Sequence, residues 1–194
     1  MSESTPLTND QIRAFVLAGH GNLEQVQSMF VDFPMLLDAA YEWKQNDRET
    51  AIQAAAHIGN VAIAEYLLAQ GAPLAIYTAA MLGRRTDVER MIQADPQQIF
   101  ATGAHGIPLL THAALSGDVA LIEWLVQHGA HEDMSAALHN AVSKGHGELT
   151  RWILQNGNPD LGTRNFQGQT PLQVAQARGF DAIARLLHDH GASE

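Results

Sequence analysis

The sequence predicts an all-α solenoid built from six helix–turn–helix units. Three observations support this fold class. A glycine recurs at an equivalent point of six segments, apolar residues at helical spacing follow it, and the segments end alternately in proline and in Gly-Ala. The recurring glycines are Gly21, Gly59, Gly83, Gly117, Gly145 and Gly179. Units repeated in this way bury their apolar faces against their neighbours and stack in a line.

A longer period lies above the single unit. Counted from nine residues before each glycine, the units begin near Ile12, Thr50, Leu74, Pro108, Ala136 and Thr170. The odd units begin 62 residues apart and end at Pro34, Pro96 and Pro159. We therefore expect long connections after these prolines and short ones after Ala72 and Ala130. The three long connections should project as fingers, and fingers two repeats apart should lie roughly 20 Å from each other.

Each unit has the composition of two closely stacked helices. The first helix is lined by small residues such as Ala54, Ala55 and Ala56, which allow neighbouring helices to approach without voids. The recurring glycine then ends that helix, because glycine adopts the left-handed conformation without steric cost. The second helix carries apolar residues at helical spacing, such as Ile63 and Leu67.

The N-terminal boundary of the array is marked by a helix start signal. Thr8 followed three residues later by Gln11 is the pattern of a capping box. In this motif the threonine side chain accepts from a free backbone amide of the first turn, and the glutamine side chain reaches back to the backbone amide of the threonine. We expect residues 1–7 to form a flexible tail and residues 8–194 to form a single repeat domain.

Two unit openings carry a family resemblance. Thr50-Ala51-Ile52-Gln53-Ala54-Ala55 and Thr170-Pro171-Leu172-Gln173-Val174-Ala175 resemble the Thr-Pro-Leu-His-x-Ala opening of the ankyrin repeat. The resemblance extends from Thr8 to the C-terminus and implies helix–turn–helix units that present a protein-binding surface. It also implies that His139, at the histidine position of its unit, bonds to the backbone of the adjacent loop. The segments 49–56 and 103–107 are similar to small bacterial ankyrin proteins.

Composition limits the classes of partner and the cellular compartment. The net charge is −10, and nucleic acids and anionic membranes need clustered lysine and arginine, so we expect neither as a partner. No cysteine is present, which excludes disulfides, thiolate zinc sites and a cysteine nucleophile. The N-terminus lacks the basic and apolar regions of a signal peptide. We therefore expect a cytoplasmic protein.

No motif in the sequence predicts catalysis or a cofactor. The closest histidine pairs, His128 with His131 and His188 with His190, fall at helix ends or turns, where histidine meets the helix dipole favourably. A zinc site needs three or four converging ligands, so we expect no metal and no cofactor. The two glycines of the segment 103–106 indicate a tight hairpin tip. The segment lacks the preceding strand and the following Gly-Lys-Ser/Thr of a phosphate-binding loop. A paired-carboxylate site stays open, but nothing in the sequence selects a pair.

Large apolar groups in the fingers, and the residues before the recurring glycines, suggest a partner surface. Exposed aromatic residues are enriched at binding hot spots. We expect Trp43 to be exposed and Phe100 to fold back onto the next helix pair, and we expect the paired Met81 and Leu82 to lie on the concave surface. The candidate partner-binding residues are Tyr41, Trp43, His57, Met81, Leu82, His105 and Phe166.

The function that the sequence predicts is non-catalytic protein binding through the concave face and the fingers, by a monomer. Two alternatives stay open. One is a small enzyme or ligand-binding protein that uses the finger histidines, which would require titratable groups converging in a pocket. The other is a self-assembling structural module, which would require an apolar exposed end. The polar C-terminal residues Arg185, His188 and Asp189 argue against that end.

Overall fold

The computed structural model describes residues 6–193 as six stacked helix pairs, which confirms the predicted fold class. The helices are α1 (Asn9–Gly19), α2 (Leu23–Asp32), α3 (Ala51–Ile58), α4 (Val61–Ala69), α5 (Ile76–Met81), α6 (Arg85–Ala94), α7 (Leu109–Ala113), α8 (Val119–Gln127), α9 (Met134–Ser143), α10 (Gly147–Asn156), α11 (Pro171–Ala177) and α12 (Asp181–Asp189). Apart from Pro6 and Leu7, the predicted tail lies outside the described residues.

The odd-numbered helices stack in an unbroken row, in which α1, α3, α5, α7, α9 and α11 each contact the next. Small side chains make this row possible, since Ala54, Ala55 and Ala56 are fully buried. The larger apolar residues of the even helices, such as Ile63 and Leu125, cover the row from one side. The core is therefore a strip that runs along the array between the two rows of helices.

The inter-helix turns have the predicted conformation in five of the six units. The recurring glycines of units two to six have φ values between 67° and 76°, in the left-handed region. Gly21 is the exception, because it is not among the described glycines with a positive φ. The residue that caps the end of α1 is His20, which has right-handed helical backbone angles. Three helices begin with a capping box, formed by Thr8, Thr50 and Thr170, each with the glutamine three residues on. Start and stop signals thus fix the register of the units.

Long and short connections alternate as predicted. The long ones are the first finger (33–50), the second finger (95–108) and the third finger (157–170), and the short ones are 70–75 and 128–133. The first finger contains the antiparallel strands β1 (Ala40–Lys44) and β2 (Asp47–Thr50). A bridge between Thr102 and Pro108 closes the second finger around the tight tip predicted at 103–106. The third finger is irregular, with a turn closed by Asn165 and Gln169.

The expected 20 Å separation between fingers is wrong for the first two. The tip of the second finger packs against β2, and His105 Nδ1 lies 3.0 Å from the Asp47 carboxylate. The reason is that the two fingers lean toward each other across the second repeat, where a buried polar cluster joins them. Repeat spacing alone does not set the distance between fingers.

Gly117→Val should destabilise the protein by at least about 1–3 kcal/mol, because a β-branched residue resists the φ of 75° found there. An added Cβ would also lie 2.6 Å from His146 Nδ1. Gly21→Val is the matched control, because an added Cβ there meets nothing within 4 Å. Urea unfolding of the two variants measures the difference, and equal losses would contradict the proposed role of the turn.

The buried His112 should make stability depend on pH. Burial lowers the pKa of His112 from 6.5 to about 4, although its hydrogen bond to Pro108 O opposes this. The unfolded chain therefore binds an extra proton between these pH values. The contribution of neutral His112 to the free energy of unfolding is fully present above about pH 6.5 and is lost as the pH falls toward 4. The loss is on the order of 3 kcal/mol, because each unit of pKa difference corresponds to roughly 1.4 kcal/mol.

The variant His112→Asn tests this, since asparagine can keep a donor near the Pro108 carbonyl but does not titrate. Urea melts at about pH 7 and about pH 4.5 should show a smaller stability loss in this variant than in the wild type. His188→Asn, at an exposed histidine, should behave like the wild type. Parallel pH profiles for all three proteins would contradict the prediction.

Candidate functional site

The candidate partner residues divide into exposed and buried groups. Phe166, in the third finger, is 91% exposed, and His105 lies partly exposed at the tip of the second finger. Tyr41, His57 and Leu82 are half-buried. Residues that can contact a partner without rearrangement are therefore found mainly on the fingers.

Three expectations about exposure are wrong. Met81 is 1% exposed and packs in the core, because the short helix α5 turns this side chain toward the neighbouring repeats. Trp43 is half-buried, since its indole N–H donates to Glu49 Oε2 at 2.7 Å and its ring packs edge-on against Tyr41. Phe100 is 53% exposed, because Ile99 beside it takes the buried position at the base of the second finger.

Phe166 is displayed on a well-tied turn. The side chain of Asn165 accepts hydrogen bonds from the backbone amides of Gln167 and Gln169, at 3.0 and 2.9 Å. Arg164 Nη1 donates to the Gly168 carbonyl at 2.6 Å, which closes the turn from its other side. The base of this finger is held by His139, whose Nε2 lies 2.7 Å from the Thr163 carbonyl, so the loop contact implied for His139 is confirmed. The turn that carries the exposed ring is thus tied to the helices.

A lysine links two repeats that are distant along the chain. Lys144, from the fifth repeat, donates to the Gly59 carbonyl of the second at 3.1 Å. Burial lowers the pKa of Lys144, and the nearby positive charge of Arg178 lowers it further. Basic groups thus lie close together beside this turn, although the whole chain carries a net charge of −10.

Three of the candidate residues, Trp43, His57 and His105, converge on one carboxylate that the sequence analysis did not select. Glu49, in β2, is 0% exposed. His57 Nε2, from α3, lies 2.9 Å from its Oε1, and His105 Nε2 lies 3.4 Å from the same oxygen. His20, at the end of α1, places its Nε2 3.7 Å from Glu49 Oε2 and 3.2 Å from His57 Nε2. We call His20, Glu49, His57 and His105 the Glu49 cluster.

Two histidines of this cluster are oriented by a second partner on the other ring nitrogen. His20 Nδ1 lies 3.1 Å from the Val16 carbonyl, one helical turn earlier in α1. His105 Nδ1 lies 3.0 Å from both oxygens of Asp47. Because carbonyl and carboxylate oxygens only accept hydrogen bonds, Nδ1 of each ring is the donor, and Nε2 of each ring faces Glu49.

The carboxylates of this region are stabilised in their charged form. Burial raises the pKa of Glu49, but contacts from His57 and Trp43 and the charges of His57 and His20 outweigh it, so the pKa lies below its ordinary value. The hydrogen bond from His105 lowers the pKa of Asp47. Both carboxylates are therefore ionised near neutral pH. Within residues 6–193, Glu49 Oε1 has no hydrogen-bond partner of correct geometry.

Sequence reasoning missed His20, Asp47 and Glu49 because the side chains that they meet come from distant parts of the chain. A signal was nevertheless present. His20 and His57 fall one and two residues before the recurring glycines of consecutive units, and such positions are neighbours once the units stack. The side chains of the other four candidates make no hydrogen bond to the cluster within the described part of the chain; they are Tyr41, Met81, Leu82 and Phe166.

Trp43→Phe should cost about 1.5–3 kcal/mol, because it removes an N–H donor from the buried carboxylate of Glu49. Trp152→Phe is the matched control, since Trp152 is also half-buried and its indole makes no hydrogen bond within residues 6–193. Urea unfolding of the two variants gives both costs. Losses of the same size would mean that the indole hydrogen bond does not stabilise the fold.

Comparisons with known proteins match this architecture. A family model described as "Ankyrin repeats (3 copies)" matches residues 110–194, and one described as "Ankyrin repeat" matches residues 47–92. Within residues 6–193, no helix is long and apolar enough to cross a membrane.

Three curated relatives illustrate the range of similar proteins. A putative ankyrin repeat-containing protein of Treponema pallidum is 33% identical over 46% of this chain and 32% of its own length. The mouse B-cell lymphoma 3 protein homolog is 33% identical over 43% of this chain and 20% of its own length. The rat cyclin-dependent kinase 4 inhibitor B is 25% identical over 63% of this chain and 96% of its own length. The chain thus spans a third or less of the first two relatives and nearly all of the third.

Proposed function

This chain belongs to the ankyrin-repeat family, and we propose that it is a non-catalytic module that binds a protein partner through its fingers and concave face. The family is in general an interaction fold rather than an enzymatic one. The rat relative is, by its name, an inhibitor of a kinase, which is a protein, and this supports a protein partner here. We further propose that the module acts as a cytoplasmic monomer without nucleic-acid or membrane partners.

The observation that carries the proposal is the display of Phe166. A phenylalanine ring that is 91% exposed gains little from the fold, and the hydrogen bonds around Asn165 hold the turn that carries it. An apolar side chain on an ordered turn adds no backbone-ordering cost on binding, so it suits the anchor of an interface. His105 and the half-buried Tyr41, His57 and Leu82 provide the polar and apolar surroundings in this proposal, and the buried Met81 is left out.

The self-association alternative receives less support. Arg185, His188 and Asp189 are all exposed on the last helix, so the C-terminal end of the array presents charge and not an apolar face. A polar terminal repeat is what keeps a solenoid from stacking end to end. This favours a monomer that meets a different protein through its side surfaces.

Phe166→Ala tests the proposed anchor. The wild-type chain and the variant are each immobilised and used to capture proteins from the source organism, and the retained proteins are quantified by mass spectrometry. The affinity of each candidate partner is then measured with purified protein by calorimetry. Loss of an interface anchor commonly costs about 2 kcal/mol or more, which is roughly thirtyfold in Kd.

Val31→Ala and Glu123→Ala are the controls. Val31 is 75% exposed at the end of α2, and Glu123 is exposed on α8. Neither change should alter Kd by more than about threefold, and circular dichroism should show that all variants are folded. A partner whose affinity survives Phe166→Ala but falls with Glu123→Ala would place the interface on the opposite face.

A further inference from the structure

We propose that the Glu49 cluster is a binding site for a first-row divalent metal ion, with zinc as the ion to test. His20 Nε2, His57 Nε2 and the Glu49 carboxylate form the site. His105 Nε2, 3.4 Å from Glu49 Oε1, approaches this group from the second finger. This inference does not depend on the proposed protein partner.

The spacing of the ligand atoms fits one ion. One ligand atom from each of His20, Glu49 and His57 can be chosen so that all lie within 4.8 Å of one another. The separations are 2.9 Å from His57 Nε2 to Glu49 Oε1, 3.2 Å between the two Nε2 atoms, and 3.7 Å from His20 Nε2 to Glu49 Oε2. Two ligands about 2.0–2.1 Å from a tetrahedral zinc ion are about 3.3 Å apart, so the observed separations bracket this value.

The second partners of the histidines also fit a metal site. Val16 O and the Asp47 carboxylate accept from Nδ1 of His20 and His105, so each ring directs its other nitrogen, Nε2, toward Glu49 and can ligate through it. Metal-ligating histidines almost always donate their other N–H to a carboxylate or a backbone carbonyl, and these two have one of each.

The buried carboxylate has one oxygen that a cation could pair with. Glu49 is 0% exposed, and its Oε1 has no hydrogen bond of correct geometry within residues 6–193, although His57 Nε2 lies 2.9 Å away. A buried charge is costly unless it is paired or coordinates a metal. The indole of Trp43 satisfies only Oε2, so a cation beside Oε1 would complete the balance.

The site draws its ligands from three parts of the chain. His20 ends α1, Glu49 and His57 flank the start of the second repeat, and His105 comes from the second finger. His105 has a φ of 60°, which is unfavourable for a residue other than glycine and persists where surrounding contacts demand it. A bound ion would therefore join the first two repeats to the second finger and fix the shape of that surface.

The ligand types select the class of ion. Imidazole nitrogens with a single carboxylate suit zinc and neighbouring transition metals, whereas calcium and magnesium prefer sites made of oxygen atoms. The side chains of His20 and His105 are 29% and 32% exposed, so an ion can enter from solvent without unfolding the repeats.

The test uses the full chain without a histidine tag, stripped by a chelator, and titrated with ZnCl₂ by isothermal calorimetry at about pH 7.5, where histidines are neutral. We expect one ion per chain with a Kd in the micromolar range or tighter, a higher Tm with zinc, and no response to magnesium. Cobalt should give the visible absorption of a tetrahedral site. Absence of saturable zinc binding, or binding that leaves Tm unchanged, would overturn the proposal.

His20→Ala and His128→Ala form a matched pair. In both residues Nδ1 contacts the carbonyl four residues earlier, at 3.1 Å for His20 and 2.8 Å for His128, so each change removes the same local bond. His20→Ala should weaken zinc binding by about tenfold to a hundredfold and abolish the shift in Tm, whereas His128→Ala should do neither.

Glu49→Gln preserves the shape of the buried side chain and removes its charge, and it should also abolish binding. His105→Ala, at the finger tip, serves if Glu49→Gln fails to fold by circular dichroism. It should weaken binding while leaving the helix content unchanged. Equal zinc affinity in the wild type, His20→Ala and His105→Ala would show that the ion binds elsewhere. The cluster would then be a hydrogen-bond network of imidazolium and carboxylate groups.

Discussion

The structure depends on how closely successive helix pairs can approach, because each pair buries its apolar surface only against its neighbours. Fully buried alanines on the odd helices allow this approach within the row. At the turns the tolerance varies, since a Cβ on Gly117 would meet the His146 ring at 2.6 Å, whereas one on Gly179 would meet nothing within 4 Å. Glycine is needed at both turns for its left-handed φ, and at Gly117 also for the space it leaves.

The Glu49 cluster solves a different problem at the junction between the first and second repeats. Stacking brings the ends of α1 and α3 together, and the first finger then places a carboxylate between them. A charged group at such a position costs free energy unless other groups compensate for it. The histidines and Trp43 provide that compensation, and the contact of His105 ties a second finger to the same point. The proposed metal ion would strengthen a joint that the protein already makes from four chain segments.

The three fingers consequently have different physical characters. The first two pack on each other and cover polar groups, and Trp43 of the first finger stabilises the fold through its hydrogen bond to Glu49. The third stands apart from the cluster and holds Phe166 in water. A residue of the same apparent type can thus stabilise one finger and be available for binding on another. Local composition does not distinguish the two cases, because the difference lies in what the opposite finger contributes.

The sequence by itself determined the six units, their register, the capping boxes, and the alternation of long and short connections. These features depend on residues close together along the chain, such as Thr50 with Gln53 and the glycine nine residues after Thr50. Only the tertiary structure decided that Met81 is buried, that Trp43 bonds to Glu49, and that His20, Glu49, His57 and His105 meet. Those outcomes depend on contacts between segments far apart along the chain, such as β2 with the tip of the second finger, and such contacts leave no pattern in any one repeat.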